Sequence, residues 1–226
     1  MGVSLIAVRA VERQPASAAS RSFAWVVIDL AERVLALLLL VLLLPVLAVT
    51  AAITAVLSQN SPLIALARAG QGGKCVWLLK LRTMWGSESG GGGRARFIER
   101  IENARVPECK TESDPRVTSS FAAFCRRHSI DELPQLWHVV CGEMTLVGPR
   151  PLTHDELETY YGYDASEVLS VKPGLTGLWQ VRGRNSLSYC QRLELDLYLV
   201  RHRSPRLYLS VLASTIPAVF SGRNAC

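Results

Sequence analysis

From Val34 to Leu57 the chain reads VLALLLLVLLLPVLAVTAAITAVL, and no charged side chain appears from Val34 through Ala67. As a helix rising ~1.5 Å per residue, that stretch reaches about 36 Å, enough to cross a hydrocarbon core of about 30 Å. It starts too late and runs too long for a simple secretory signal, and no small-residue cleavage site flanks it. Pro45 lies near its middle, where the missing N–H interrupts the helical ladder and leaves two halves of roughly 16–18 Å each. Basic residues normally mark the cytoplasmic flank. Here Arg21 and Arg33 precede the stretch and Arg68 and Lys74 follow it, so the two flanks tie. These residues leave two arrangements open: a spanning helix with a tolerated proline, and a hairpin with both ends in the cytoplasm.

The polar and apolar positions elsewhere alternate over shorter distances. Residues 1–20 show no apolar period and are expected to be disordered, and 21–33 (RSFAWVVIDLAER) form an interfacial lead-in with Trp25 at headgroup level. SQNSPL is a loop, and a Gly-rich turn leads into a β-like run over 75–81. GSESGGGG, 86–93, lacks the GxxxxGK[ST] spacing of a nucleotide-binding loop and serves as a linker. A charged helix is predicted over 94–105, a loop after it, and a short helix over SFAAFCRRH. A second helix starts near Leu133 or Pro134 and runs to about Val140, followed by a strand or extended loop in GEMTLVGPRPLT. HDELETYYG is a short helix, VKPGLTGLWQVRGRNS a turn-rich segment with one β-like stretch, and Ser188–Tyr198 a helix. The apolar helix in SPRLYLSVLASTIPAVF has Pro at or near its first position and is too short before Pro217 to span, so it lies on the membrane or closes the core.

The predicted fold class is α+β and mostly helical: a Pro-broken membrane helix, of the two arrangements better read as re-entrant, joined to a compact cytoplasmic domain with short strands and interfacial helices, which the motifs below mark as the catalytic domain. The boundaries are 1–20 for the N-terminus, 21–60 for the lead-in and membrane helix, and 61–226 for the catalytic domain.

Charge narrows the partners. Twenty-five Lys plus Arg against 19 Asp plus Glu give +6 and a pI near 9.2, which suits anionic ligands. A nucleic-acid role rests on that charge alone, without a recognised module or an interleaved aromatic and basic surface. Six cysteines without a CxxC pair fit neither a zinc ribbon nor a secreted disulfide framework, and are expected as free thiols in a reducing cytosol.

The stretch SIDELPQLW places Asp131 beside Glu132, with Arg126 and Arg127 just upstream. Two carboxylates about 6 Å apart repel by ~3 kcal/mol at an effective dielectric of 20, so a divalent cation or an arginine decides whether both ionise. The bland alternative is a helix capping box, Ser129-x-x-Glu132, in which neither carboxylate acts chemically. Arg150 stands between Pro149 and Pro151, which restrict its backbone. A carboxylate nucleophile, a hard cation and rigid guanidinium groups are the parts required to move a phosphoryl group.

KLRTM (80–84), DPRVT (114–118), SIDELPQLW with GEMTLVGPRP (129–151) and KPGLTGLWQVRGRN (172–185) resemble, in that order, motifs of the bacterial sugar transferase family. These are the monotopic phosphoglycosyl transferases that load polyprenol phosphate at the start of exopolysaccharide, capsule or glycan assembly. The short N-terminal region is similar to the small members, which lack an extra multi-helix membrane domain. The resemblance implies that Asp131 attacks the sugar-bearing phosphorus of a UDP-sugar, releasing UMP. The phosphosugar then passes from the enzyme to undecaprenyl phosphate. It implies Asp131 and Glu132 as catalytic residues and Mg2+ ligands, Arg126 as a phosphate contact and Arg150 as a shaper of the site. Arg184, Lys80 and Arg82 follow as donor or headgroup contacts, and Arg116 as a structural residue paired with Asp114 or another carboxylate.

A re-entrant helix, a place in the bacterial inner membrane with the catalytic domain on the cytoplasmic face, and a homodimer are further expectations of the resemblance. Galactose or glucose starters are nearest in pattern, and the sugar itself stays open. The chain departs from the family at Leu81, where Phe is usual, and in NSPLIALARAGQGGK, a loose version of SPGPVLFRQxRxGxxGK. Cys125 and Cys141 are expected as small buried residues, and His128 and His154 as loop residues. The competing reading is a membrane-anchored scaffold of a polysaccharide complex without catalysis.

Overall fold

The computed structural model describes residues 23–85, 98–101, 117, 119–183 and 186–221. The N-terminal tail, the glycine linker, Asp114, Arg116 and Arg184 lie outside the described residues.

Leucine- and alanine-rich sequence propagates one long helix, α1, Phe23–Ser58, which absorbs the expected lead-in and continues through Pro45 without interruption. Its pattern of burial is inverted relative to a soluble helix. Glu32, Ala36, Thr50, Thr54 and Ser58 are buried along one stripe, whereas Leu38, Leu42, Val49 and Val56 on other faces are exposed. A polar stripe turned inward and an apolar face turned outward suit contact with lipid on the outside and protein on the inside. The stripe is anchored by Glu32, which accepts from the Leu146 N–H at 3.0 Å and from the Tyr208 hydroxyl. Asp29, one turn earlier, holds Lys172 at 2.9 Å and Arg33 at 2.8 Å.

The chain then forms an antiparallel hairpin of β1, Leu63–Ala69, and β2, Cys75–Leu81, with Ile64 opposite Lys80. Its turn needs Gly72 and Gly73, whose φ angles of +67° and +77° lie in the left-handed region. The run 75–81 was legible as a strand, but its partner β1 was not, because Ala- and Arg-containing LIALARA carries no clear alternation. A third strand, β3, Ile98–Ile101, pairs parallel to β1 and over those four residues corrects the helix expected over 94–105; IERI itself shows no alternation of polarity, and pairing with β1 decides its conformation.

Helix α2, Ser120–Arg127, is capped by the Ser119 hydroxyl, which accepts from Ala122 N–H. It is followed by a 3-10 turn, Ile130–Gln135, and by α3, Leu136–Cys141. The expected helix start at Leu133 or Pro134 is therefore early by two or three residues, because Pro134 sits inside the tighter turn that precedes Leu136.

Strand β4, Thr145–Val147, pairs parallel with β5, Gly174–Thr176. The loops at their ends touch so closely that a Cβ on Gly174 would lie 2.0 Å from Gly148 N, so only glycine fits there. That contact pins the start of the Pro149-Arg150-Pro151 segment. Helix α4, His154–Glu156, continues through a wider turn at 157–161, and α5 covers Ala165–Val168. Helix α6, Leu178–Arg182, was not anticipated inside the turn-rich segment; α7, Tyr189–Arg201, and α8, Pro205–Ser221, agree with the pattern.

Two buried clusters hold these elements. Ala36 of α1 packs with Leu136, Val139, Leu146, Leu178, Tyr208 and Val211, which ties the membrane-type helix to α3, β4, α6 and α8. A smaller cluster of Ala69, Leu152, Leu157, Tyr161, Val168 and Leu197 supports the other side of the Pro-Arg-Pro segment.

Candidate active site

Asp131 is placed by a strained entry. Ser129 adopts φ +56°, a left-handed conformation that costs a non-glycine residue about 1 kcal/mol or more, and its side chain makes no cap contact. The capping box is therefore absent, and both carboxylates are turned into the structure instead of serving the helix end. Asp131 is 2% exposed. Lys80 reaches across from β2, with Nζ 3.0 Å from Asp131 Oδ2 and 3.2 Å from Glu132 Oε1. Arg150 Nη1 lies 3.8 Å from the same Glu132 oxygen. Burial pushes the Asp131 carboxyl above the usual carboxylate range; Lys80 and Arg126 oppose that shift and Glu132 adds to it. Lys80 is the charge that most favours an ionised Asp131.

The height of Lys80 is set by His138, which the sequence pattern did not single out. The Leu79 N–H donates to His138 Nε2 at 3.1 Å, and His138 Nδ1 lies 2.6 Å from Glu143. Strand β2 is thereby fastened to α3 one residue away from Lys80. A lone histidine in an apolar run carries no spacing signal, so only the fold brings this contact to light.

Arg150 rests over the ring of Trp179, 5.7 Å from its centroid. Beneath them is Asp196 of α7, fully buried, which accepts from the Tyr161 hydroxyl at 2.9 Å. Burial raises the Asp196 carboxyl to about 7, while Tyr161, Trp179 and Arg150 favour its charged form.

Lys80, Arg126, Asp131, Glu132 and Arg150 line one cavity of about 570 Å³. Its far end is apolar, with Leu35, Leu39 and Leu43 from α1 and Leu212, Ile216 and Val219 from α8, while His128, Ser129, Thr176, Gln180 and Thr215 add polar atoms to the wall. Arg82 is not brought there. It is buried, ion-paired with Glu99 and donates to the Ser61 carbonyl at 2.8 Å, so its role is to hold β2 against β3 and the end of α1. Cys125 is buried, and its thiol is pushed up to about 11 by burial and by Asp131, whereas Cys141 is exposed, contrary to expectation. His128 ends α2, and His154 begins α4 rather than lying in a loop.

Among the described residues no cluster of three His, Cys, Asp or Glu side chains could hold a metal. Two adjacent carboxylates nevertheless suit Mg2+, which typically takes one or two carboxylates and completes its shell with substrate phosphate and water.

Residues 23–222 match the family described as bacterial sugar transferase. The chain is 42% identical over 164 residues to the exopolysaccharide production protein ExoY of Rhizobium meliloti, covering 70% of each protein. It is 39% identical over 167 residues to the UDP-galactose-lipid carrier transferase of Erwinia amylovora, covering 74% of this chain but 35% of that protein. Against the undecaprenyl-phosphate galactose phosphotransferase of Salmonella typhimurium it is 44% identical over 110 residues, 49% of this chain and 23% of the other. The chain thus spans about a third or less of the two longer relatives. With the match running from the start of α1 to beyond the end of α8, this protein belongs to the bacterial sugar transferase family.

Proposed function

We propose that the protein moves a sugar phosphate from a UDP-sugar to undecaprenyl phosphate, as the first membrane step of exopolysaccharide assembly. The observation that carries this reading is the cavity itself: a buried carboxylate with three cationic side chains at one end, and two apolar helices at the other. Charged reactants and a hydrocarbon chain would meet there and nowhere else among the described cavities. The names of relatives, which include a UDP-galactose-lipid carrier transferase and an undecaprenyl-phosphate galactose phosphotransferase, support the same substrates.

The reaction begins with ionised Asp131. Its oxygen attacks the sugar-bearing phosphorus, the bond from that phosphorus to the bridging oxygen breaks, and UMP departs with the bond's electron pair. Asp131 then carries the phosphosugar as an acyl phosphate. An oxygen of the polyprenol phosphate attacks the same phosphorus, the acyl phosphate bond breaks, and the carboxylate is restored. Lys80 favours the charged form of Asp131 against the effect of burial; Arg126 and Arg150 bind the non-bridging phosphate oxygens, for which a planar guanidinium suits bidentate contact. Mg2+, held by Asp131 and Glu132, would neutralise charge on the diphosphate. Burial of the site limits competing attack by water.

Helix α1 dips into the inner membrane and returns, in this reading, leaving the catalytic body on the cytoplasmic face. Its inward stripe continues on both sides of Pro45, from Glu32 and Ala36 to Thr54 and Ser58, so both halves are in contact with the same body. Pro45 removes one ladder hydrogen bond at the middle, where a bend is least costly. Purified protein in lipid, with Mg2+, a panel of UDP-sugars and undecaprenyl phosphate, should release UMP. Release that is undiminished in Asp131→Asn would overturn the mechanism, and no release with any donor would leave the scaffold reading in its place.

A further inference from the structure

Beside Arg150 stand two more guanidinium groups that the transfer chemistry above leaves unused. Arg68 lies near the end of β1, where the next residue, Ala69, donates to the Leu152 carbonyl at 2.8 Å and so joins β1 to the Pro-Arg-Pro segment. Arg192 lies in the second turn of α7, 4.8 Å from the ring of Trp179 and 5.0 Å from that of Tyr189. Arg150 and Arg192 therefore share one indole, and no more than the sum of their two ring distances separates them. Tyr189 in turn stacks on Tyr160 at 3.9 Å, with the planes 7° apart.

Rings and a backbone carbonyl hold these arginines, but no carboxylate among the described residues reaches them at ion-pair distance. Among the described residues neither Arg68 nor Arg192 has an ion-pair partner; Arg68 donates only to the carbonyl of its neighbour Ala67, and Arg192 Nε is buried without a hydrogen-bond partner. Burial and the charge of Arg150 both pull their pKa values down. The carboxylate that offsets this, Glu156, is engaged by the Thr153 N–H and hydroxyl in the cap of α4. Half-buried guanidinium groups held by ring faces or a single carbonyl, with no described carboxylate in ion-pair contact, keep N–H donors and positive charge for an anion that arrives later.

We propose that Arg68, Arg150 and Arg192 together hold the phosphate of the departing nucleotide, with the Arg192–Tyr189 face under its aromatic base. The inference rests on the proposed transfer and deepens it by separating the donor's two halves. The sugar-bearing phosphorus sits at Asp131 and Lys80. The nucleotide phosphate, which gains a negative charge as the bridging bond breaks, sits at the arginine trio. Arg150, within reach of both Glu132 and Trp179, joins the two halves. Guanidinium groups match phosphate oxygens bidentately, and a flat ring beside a flat cation offers a stacking surface for a base.

The test uses the full chain in lipid nanodiscs and UMP alone, without sugar donor or acceptor. UMP should bind, and Arg68→Gln and Arg192→Gln should each weaken it at least tenfold; in a separate turnover assay with donor and acceptor present, the undecaprenyl phosphate KM of each variant should stay within twofold of the unaltered protein. In the unaltered protein, saturating UMP should also shield Arg68 and Arg192 from phenylglyoxal, read by mass spectrometry, which needs no variant to fold. Absence of UMP binding, equal UMP affinity in the folded variants, or unchanged modification of both arginines would overturn the proposal. UMP binding that depends on these arginines, in a protein that turns over no donor, would leave the subsite standing and remove the transferase reading instead.

Discussion

The charged end of the cavity and its apolar end are built differently, and their differences separate what each contributes. The charged end draws on short segments that a sequence motif can display: KLRTM for Lys80, SIDELPQLW for Asp131 and Glu132, and the Pro-bracketed Arg150. The apolar end draws on two long helices from opposite ends of the chain, α1 and α8, which meet through Ala36, Tyr208 and Val211. One end positions charge to within a hydrogen bond. The other presents methyl groups, whose contribution depends on area and not on orientation. Substitutions at the charged end should therefore act on turnover, and those at the apolar end on acceptor affinity alone.

The strongest test of that division is Asp131→Asn, expected to lower UMP release at least ~10³-fold because no neighbouring group replaces the nucleophile. Lys80→Met follows, with a loss of roughly 100-fold in kcat. It should also move the acid limb of the pH–rate profile to higher pH. Burial already raises the Asp131 carboxyl, Lys80 is the largest opposing influence, and its removal leaves more of the enzyme protonated at a given pH. An unmoved limb would mean that the limb does not report Asp131. At the other end, Leu39→Trp should raise the acceptor KM about tenfold by filling the wall, with the donor KM unchanged. A donor KM that rose equally would erase the distinction between the two ends.

A smaller effect, on stability and not on rate, is expected from Asp196→Asn. The folded carboxyl is raised by burial to about 7. A raised carboxyl contributes stability that is complete below its unfolded value near ~4 and is lost as pH rises through the folded value. Thermal melts of the two proteins should coincide near pH 4. The asparagine variant should gain, by at most a few kcal/mol, between about pH 4 and 7, and hold a constant advantage above that. A difference independent of pH would show that Asp196 is not the group being titrated.

The comparison also explains which residues were legible. Asp131, Glu132 and Arg150 were nameable from unusual local chemistry, adjacent acids and an arginine between prolines, Arg126 from its place just upstream of the acids, and Lys80 only through the resemblance of KLRTM to a family motif. Arg82 shares a motif with Lys80 but not a destination. Two residues along a strand share one face, yet Arg82 lies just past the end of β2, where it turns to Glu99 and the Ser61 carbonyl. His138, Trp179, Asp196 and Arg192 were illegible because their importance is a matter of distance across the fold, and ordinary helix positions carry no mark of it. Strands β1 and β3 escaped for a related reason. Short, partly exposed strands are stabilised mainly by their partners, and a single segment does not display its partner.

By itself the amino-acid order determined that a long uncharged segment exists, that α2, α7 and α8 are helices, and which side chains could carry a phosphoryl group. Those properties depend on neighbours within a few residues, through side-chain polarity and backbone preference. Tertiary structure alone decided that Lys80 bridges both carboxylates, that α1 turns Glu32 and its small polar residues inward, that Arg150 and Arg192 share the Trp179 ring, and that the end of β1, beside Arg68, meets the Pro-Arg-Pro segment. Burial and Coulomb interaction act through space, so the strength of a charge is settled by the chain segments that surround it and not by those that adjoin it.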